Sequence, residues 1–355
     1  MFNKPYITKT RVILVILISI TLLYEFRLYS MNSMVQSVVA LLYLGSRILM
    51  VASLIFSRVE FMQQLLAIII RVTAILLSIS LFFWILFLVG IPLPHYYVTT
   101  NNYYEHSVYY FFILNGMEGQ LMPRFAGLFL EPGHAGSTAC LLLFLNGVTV
   151  RKWENVIFYI TILLSLSLAA YGLLVGCLGL YLLAKSKVGF LKIVPYVCIL
   201  ALLTVFFTNY KGGDNPVNQK ILMRLAFEDG EMVGNNRTST LFDWYFEDYV
   251  NSSDCILGKG KEVAMTSSAT SMLNGTASWK RYFYLRGYVG CFMLLLFLFS
   301  YYFAYRSKFS LAFLILYLIC NAIRDYPLDE LWLYLILLSM PIYNDLNNRK
   351  KIQVI

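Results

Sequence analysis

Residues Ile157–Ala184 read IFYITILLSLSLAAYGLLVGCLGLYLLA, and no charged side chain falls between Glu154 and Lys185. One bilayer crossing takes about 20 residues, so this run reads as two helices in a tight pair. They turn near Ala170–Gly172 and end at Lys185 and Lys187. Apolar runs recur at Val12–Tyr24 and Ser310–Ile323, which excludes a soluble domain with a single anchor. A mean hydropathy of +0.68, 16% aromatic and only 13% charged residues point the same way. The pattern is that of an all-α polytopic membrane protein.

The start, with Lys4, Lys9 and Arg11 ahead of Val12–Tyr24, has the outline of a signal peptide. Glu25-Phe26-Arg27 follows instead of a small-residue cleavage site, so an uncleaved first span is expected. The formal charge of +9 does not indicate nucleic acid. Its lysines and arginines sit in the short breaks between apolar runs, as retention on the cytoplasmic side produces. Of six cysteines, only Cys255 lies in a long polar segment, and their spacing gives neither a disulfide framework nor a metal site.

Alternating sides while keeping positive charge inside gives about ten transmembrane helices. The runs are Val12–Tyr24, Met34–Phe56, Leu65–Ile91, residues 126–149, the pair within Val156–Ala184, Val188–Phe207, Tyr282–Tyr305, Phe309–Ile323 and Leu331–Tyr343. Residues 1–355 form a single membrane domain in this reading. A large extracytoplasmic, partly helical loop, residues 208–281, is inserted between transmembrane helices as a cap. Residues 92–123 form a second external stretch. Within the cap, Asn218–Glu228 and Ser239–Tyr249 are the candidate helices, the latter led by a serine cap.

Charge of interest concentrates on that outer face. Arg124–Gly136 reads RFAGLFLEPGHAG. Pro132 and Gly133 suggest a broken or re-entrant start to the fourth span, tolerated at membrane depth only against protein or a wet cavity. Glu131 and His134 are the candidate acid and base. Arg124, seven residues before Glu131, is either a substrate ligand or the partner that holds the bend. Further cations follow: Arg237, Lys259, Lys261, Lys280, Arg281 and Arg286. Arginine binds phosphate bidentately, which favours Arg237 and Arg286, whereas Lys280 and Arg281 also suit interfacial anchoring. Arg47 and Arg71 sit in apolar runs and require partners. No metal, dinucleotide or Walker signature appears, so no cofactor is expected. The constellation suits a lipid-linked diphosphate.

Arg124…Gly127-Leu128-Phe129-Leu130-Glu131-Pro132, then Asn236-Arg237-Thr238-Ser239, Ile256–Gly260 and Gly287…Gly290 resemble, in order and spacing, the O-antigen polymerase and ligase superfamily with its Wzy-type polysaccharide polymerases. The resemblance covers about residues 110–325. It departs from the family at Gly133, where an asparagine is usual, and in residues 208–281, which contain no histidine. The latter favours a polymerase over a ligase.

The resemblance implies a metal-independent, inverting glycosyltransferase of the bacterial cytoplasmic (inner) membrane, working on the extracytoplasmic side. Its donor and acceptor would be polyprenyl-diphosphate-linked oligosaccharides, polymerised into O-antigen, capsule or exopolysaccharide. A chain-length regulator and a flippase would be partners, beside membrane lipids. Arg237 would stabilise the leaving diphosphate first, supported by Arg124, Lys259, Lys261, Arg281 and Arg286. Glu131 would orient or deprotonate the acceptor, with His134 second. Trp244, Tyr245, Trp279 and Tyr282 are candidates for stacking on sugar rings or for an interfacial belt. The rivals are a ligase and a transporter of a lipid-linked anion.

Overall fold

The computed structural model describes residues 7–26, 33–100, 104–115, 123–185, 205–206, 209–210, 227–228, 231–232, 240–260, 279–324 and 326–352. Among them are the helices α1 (Lys9–Phe26), α2 (Met34–Phe56), α3 (Val59–Leu88), α4 (Pro132–Asn146), α5 (Trp153–Leu164), α6 (Leu168–Lys185), α7 (Thr240–Val250), α8 (Trp279–Ala304), α9 (Lys308–Ile323) and α10 (Glu330–Ile352). The expected span Val188–Phe207 lies almost wholly outside the described residues, as does most of the helix expected at Asn218–Glu228.

Four of these helices are long and apolar enough to cross a membrane: α2, α3, α6 and α8. The expectation of about ten crossings is therefore corrected to four among the described residues. The reason is length and charge. At 1.5 Å per residue, α4, α5 and α9 reach only about 22, 18 and 24 Å against a hydrocarbon core of about 30 Å. Helix α1 carries Lys9, Arg11 and Glu25, and α10 begins at Glu330 and runs on into Arg349-Lys350-Lys351. The sidedness derived from ten alternating crossings falls with the count. The ten-span inner-membrane topology with an outward-facing site is corrected accordingly.

The fold is not all-α either. Residues 95–115 form an antiparallel sheet of β1 (His95–Thr100), β2 (Tyr104–Tyr109) and β3 (Ile113–Asn115) in the order β1-β2-β3, with His95 opposite Tyr109 and Val108 opposite Ile113. Its tyrosines, valines and threonines are strand formers.

The described chain divides into two compact units, residues 1–66 with 237–355, and residues 67–236. In the second, α4 is buried along nearly its whole length against α5 and α6. Gly136 permits this approach: a Cβ there would lie 2.5 Å from the Ala170 Cβ. Arg71 meets Glu154 at 4.0 Å.

In the first unit, α1 buries Leu14, Ile18 and Leu22 at helical spacing against α2 and α8. Arg11 donates to the Ser57 carbonyl at the end of α2, 2.8 Å away. Arg47, buried in α2, pairs with Glu330 at 3.4 Å and donates to the Leu328 carbonyl. The partner required by its apolar surroundings is thus the start of α10. Ser307 caps α9 by accepting from the Ser310 amide at 3.0 Å. Pro341 inside α10 has no N–H for the Leu337 carbonyl. The Tyr301 hydroxyl of α8 donates to that oxygen instead, at 2.6 Å.

Candidate functional site at the broken helix α8

Helix α8 is interrupted at Gly287, whose φ of 64° and ψ of −171° belong to a region open mainly to glycine. A break releases backbone groups that must find other partners. Three neighbouring segments supply them. The Tyr249 hydroxyl of α7 donates to the Phe283 carbonyl at 3.0 Å, and burial pushes its pKa up, which keeps it a donor. The Lys259 amide donates to the Tyr284 carbonyl at 2.9 Å, and the Val289 amide to the Ile256 carbonyl at 3.0 Å. The Tyr24 hydroxyl of α1 lies 2.9 Å from the Arg286 carbonyl and 2.5 Å from that of Leu257, sharing its proton between them.

The segment 255–260 enters the break because two glycines meet there. A Cβ on Gly258 would stand 2.5 Å from the Gly287 nitrogen, and one on Gly287 would collide with the Ile256 carbonyl. Glu25, also on α1, binds Arg286 with both carboxylate oxygens, the Nη2–Oε2 arm at 2.6 Å. The Arg286 guanidinium in turn lies over the Tyr282 ring, 4.1 Å from its centroid.

Beside the break is a groove of about 580 Å³, within the range of small-molecule sites. Its walls come from α7 (Phe246), from both halves of α8 (Phe283, Leu295, Leu298) and from the end of α9 (Leu318, Ala322). The lining is almost entirely apolar. Trp279, Tyr282, Tyr288 and Asn321 are the lining residues that carry polar nitrogen or oxygen in their side chains. Of their polar atoms, the Tyr282 hydroxyl and the Asn321 Oδ1 are buried away from the groove surface and have no hydrogen-bond partner among the described residues. Asn321 Nδ2 donates to the Tyr317 carbonyl at 2.7 Å, which fixes the amide orientation and leaves Oδ1 as the acceptor.

The residues singled out from sequence fall into separate places. Lys259 pairs with Asp254, Lys280 with Asp243 at 2.6 Å and Arg286 with Glu25. Arg281 is half-buried beside Tyr282 and has interactions of its own. Trp279 and Tyr282 line the groove, whereas Trp244 and Tyr245 are exposed on α7, edge to face at 5.3 Å. Arg237 and Lys261 lie outside the described residues.

Arg124, Glu131 and His134 belong to the other compact unit. Arg124 Nε donates to the Ser165 carbonyl at the end of α5, 2.9 Å away. Glu131 holds the N-cap position of α4, without a side-chain cap bond, and Pro132 opens the helix. The Pro-Gly pair therefore starts a helix, where proline's missing N–H costs nothing, rather than breaking one. His134 packs on Phe129 with ring centroids 5.0 Å apart. Sequence reasoning missed Glu25, Tyr24, Asn321 and the acids that face the cations. Among the described residues no group of three or more His, Cys, Asp or Glu side chains is placed to hold a metal ion.

No family model, curated protein or solved structure matches the chain. The resemblance to the O-antigen polymerase superfamily is corrected on the architecture. That family reading required a polytopic bundle of about ten crossings, and four helices among the described residues qualify. The polymerase function inferred through it, with its outward-facing polytopic active site, is withdrawn with it. The short motifs that suggested it have local structural uses instead: Glu131-Pro132 begins α4, Gly136 packs on Ala170, and Gly258 and Gly287 cross at the break.

Proposed function

We propose that this is a membrane protein that binds a lipid, with one apolar chain lying in the groove beside the break in α8. The observation that carries this reading is the groove itself. Its 580 Å³ are walled almost wholly by carbon, on a helix long and apolar enough to cross a membrane. A continuous α8 would pack side chain on side chain along its length. Phe283 and Leu295, on either side of the break at Gly287, both line the groove.

An alkyl chain fits such walls by dispersion contacts. The charges near the break favour a neutral ligand segment there, because Lys280, Arg286 and Lys259 each face a carboxylate of the chain itself. The test is photolabelling of the purified protein in nanodiscs with a diazirine-bearing alkyl lipid, followed by peptide mapping. Labels should concentrate on the facing walls of α8 and α9, around Leu295 and Leu318. Labelling spread evenly over the lipid-facing surfaces of α2, α3 and α6 would overturn the reading.

A further inference from the structure

We infer that α7 is an interfacial helix, docked through Leu241, Trp244 and Tyr245 onto the headgroup zone of the bilayer, an inference that rests on the membrane reading of α8 above. The level of the bilayer surface follows from where α8 loses its charge. Gly287–Ala304 carries no charged side chain. At 1.5 Å per residue it spans about 27 Å, close to the hydrocarbon thickness of about 30 Å. The boundary therefore falls beside the break. The preceding turns hold Trp279, Lys280, Arg281 and Tyr282, the residue types that gather at headgroup level.

Helix α7 is fastened to those turns. Asp243 pairs with Lys280 at 2.6 Å, the Phe246 ring meets Trp279 at 5.9 Å, and the Tyr249 hydroxyl donates to the Phe283 carbonyl. With 11 residues α7 is far too short to cross. It buries Phe242, Phe246 and Tyr249, at i, i+4 and i+7, in the cluster with Phe283, Tyr284 and Leu285. Leu241, Trp244 and Tyr245, at i, i+3 and i+4, form a second stripe that is 51%, 60% and 43% exposed. Ile256 and Leu257, in the segment that enters the break, are exposed as well. At the level set by α8, such a stripe meets lipid at the boundary of headgroup and acyl chain, where tryptophan and leucine are favoured. Glu247 and Asp248, also exposed, hold the helix at the hydrated surface and out of the hydrocarbon.

The experiment uses the full chain in phosphatidylcholine nanodiscs whose acyl chains carry bromine either near the headgroup or near the chain terminus. The fluorescence of the native protein minus that of Trp244→Phe isolates the Trp244 share. Bromine near the headgroup should quench that share roughly twofold more than bromine near the terminus, because an interfacial ring lies only about 5–10 Å deep. Iodide in the aqueous phase should barely touch it. Leu296→Trp, in the Trp244→Phe background, places an indole at an exposed position midway along the uncharged stretch of α8 and should show the reverse order of bromine quenching. Three results at Trp244 would overturn the docking: quenching by iodide alone, which means water; quenching by neither agent, which means a protein partner; and stronger quenching by terminal bromine, which means the hydrocarbon core. In each, quenching of Leu296→Trp by terminal bromine leaves the membrane reading of α8 standing. Failure of Leu296→Trp to respond to either brominated lipid would overturn that reading itself.

Discussion

Glu25 at the end of α1 holds Arg286 through both carboxylate oxygens, one residue before the break in α8. Both side chains are largely buried, 9% and 13% exposed. Removing one partner leaves a buried charge without its counter-ion, which costs about 3–5 kcal/mol, whereas replacing both by apolar groups is often close to neutral. Arg286→Met and Glu25→Met should each lower the thermal midpoint sharply, and the double variant should recover most of the loss. Strict additivity in this cycle would show that the pair does not fix the break.

The break itself depends on two glycines. Gly287→Ala must place a Cβ against the Ile256 carbonyl at positive φ, and Gly258→Ala puts one 2.5 Å from the Gly287 nitrogen. Backbone strain of this kind is worth about 1–3 kcal/mol before the clash is added. Gly45, in α2 with nothing within 4 Å of its hypothetical Cβ, is the control. Gly45→Ala should raise stability by up to about 1 kcal/mol, while the other two lower it, as read by thermal unfolding in detergent.

Tyr301 and Pro341 are coupled through one oxygen. Tyr301→Phe leaves the buried Leu337 carbonyl without the hydroxyl that replaces proline's missing N–H, at a cost of about 1–3 kcal/mol. Pro341→Ala restores a helical N–H. Tyr301→Phe should therefore be markedly less harmful in the Pro341→Ala background than in the native one, and equal losses in both would contradict the assignment.

Asp329, in the turn before α10, has its pKa raised chiefly by burial, with the neighbouring Glu330 adding to it. An unfolded aspartate titrates near 3.9. Between that value and the raised native one, the folded chain binds more protons than the unfolded chain, so stability falls as pH rises through the window. Asp329→Asn keeps the oxygen that accepts from the Leu331 amide at 3.2 Å and removes the charge. It should flatten this decline and be more stable than the native protein at neutral pH. An unchanged slope of thermal midpoint against pH would count against it.

Much of the helical layout is legible in the apolar runs, since α2 occupies Met34–Phe56 as read from sequence. What a run cannot convey is whether its helix is long enough to cross. Leu331–Tyr343 belongs to an α10 that continues through charged residues, and residues 126–149 contain a helix of only 15. The sheet at His95–Asn115 had a visible signal in its β-branched and aromatic residues, which the search for spans passed over. The site was less legible. The basic residues around α8 were visible, but the acids facing two of them, Asp243 and Glu25, stand 37 and 261 positions away from Lys280 and Arg286. Only folding brings them together. Gly287 was visible as a glycine near the head of a span, yet its role as a break needs Gly258 pressed against it.

The most direct measurement of the central claim is native mass spectrometry of the protein released from membranes, compared with Ala322→Trp, whose indole would fill the groove from α9. The account predicts that the native protein carries a bound lipid and that the variant, equally stable, has lost it. Retention of the same lipid by Ala322→Trp, or a native protein that emerges without lipid, would contradict it.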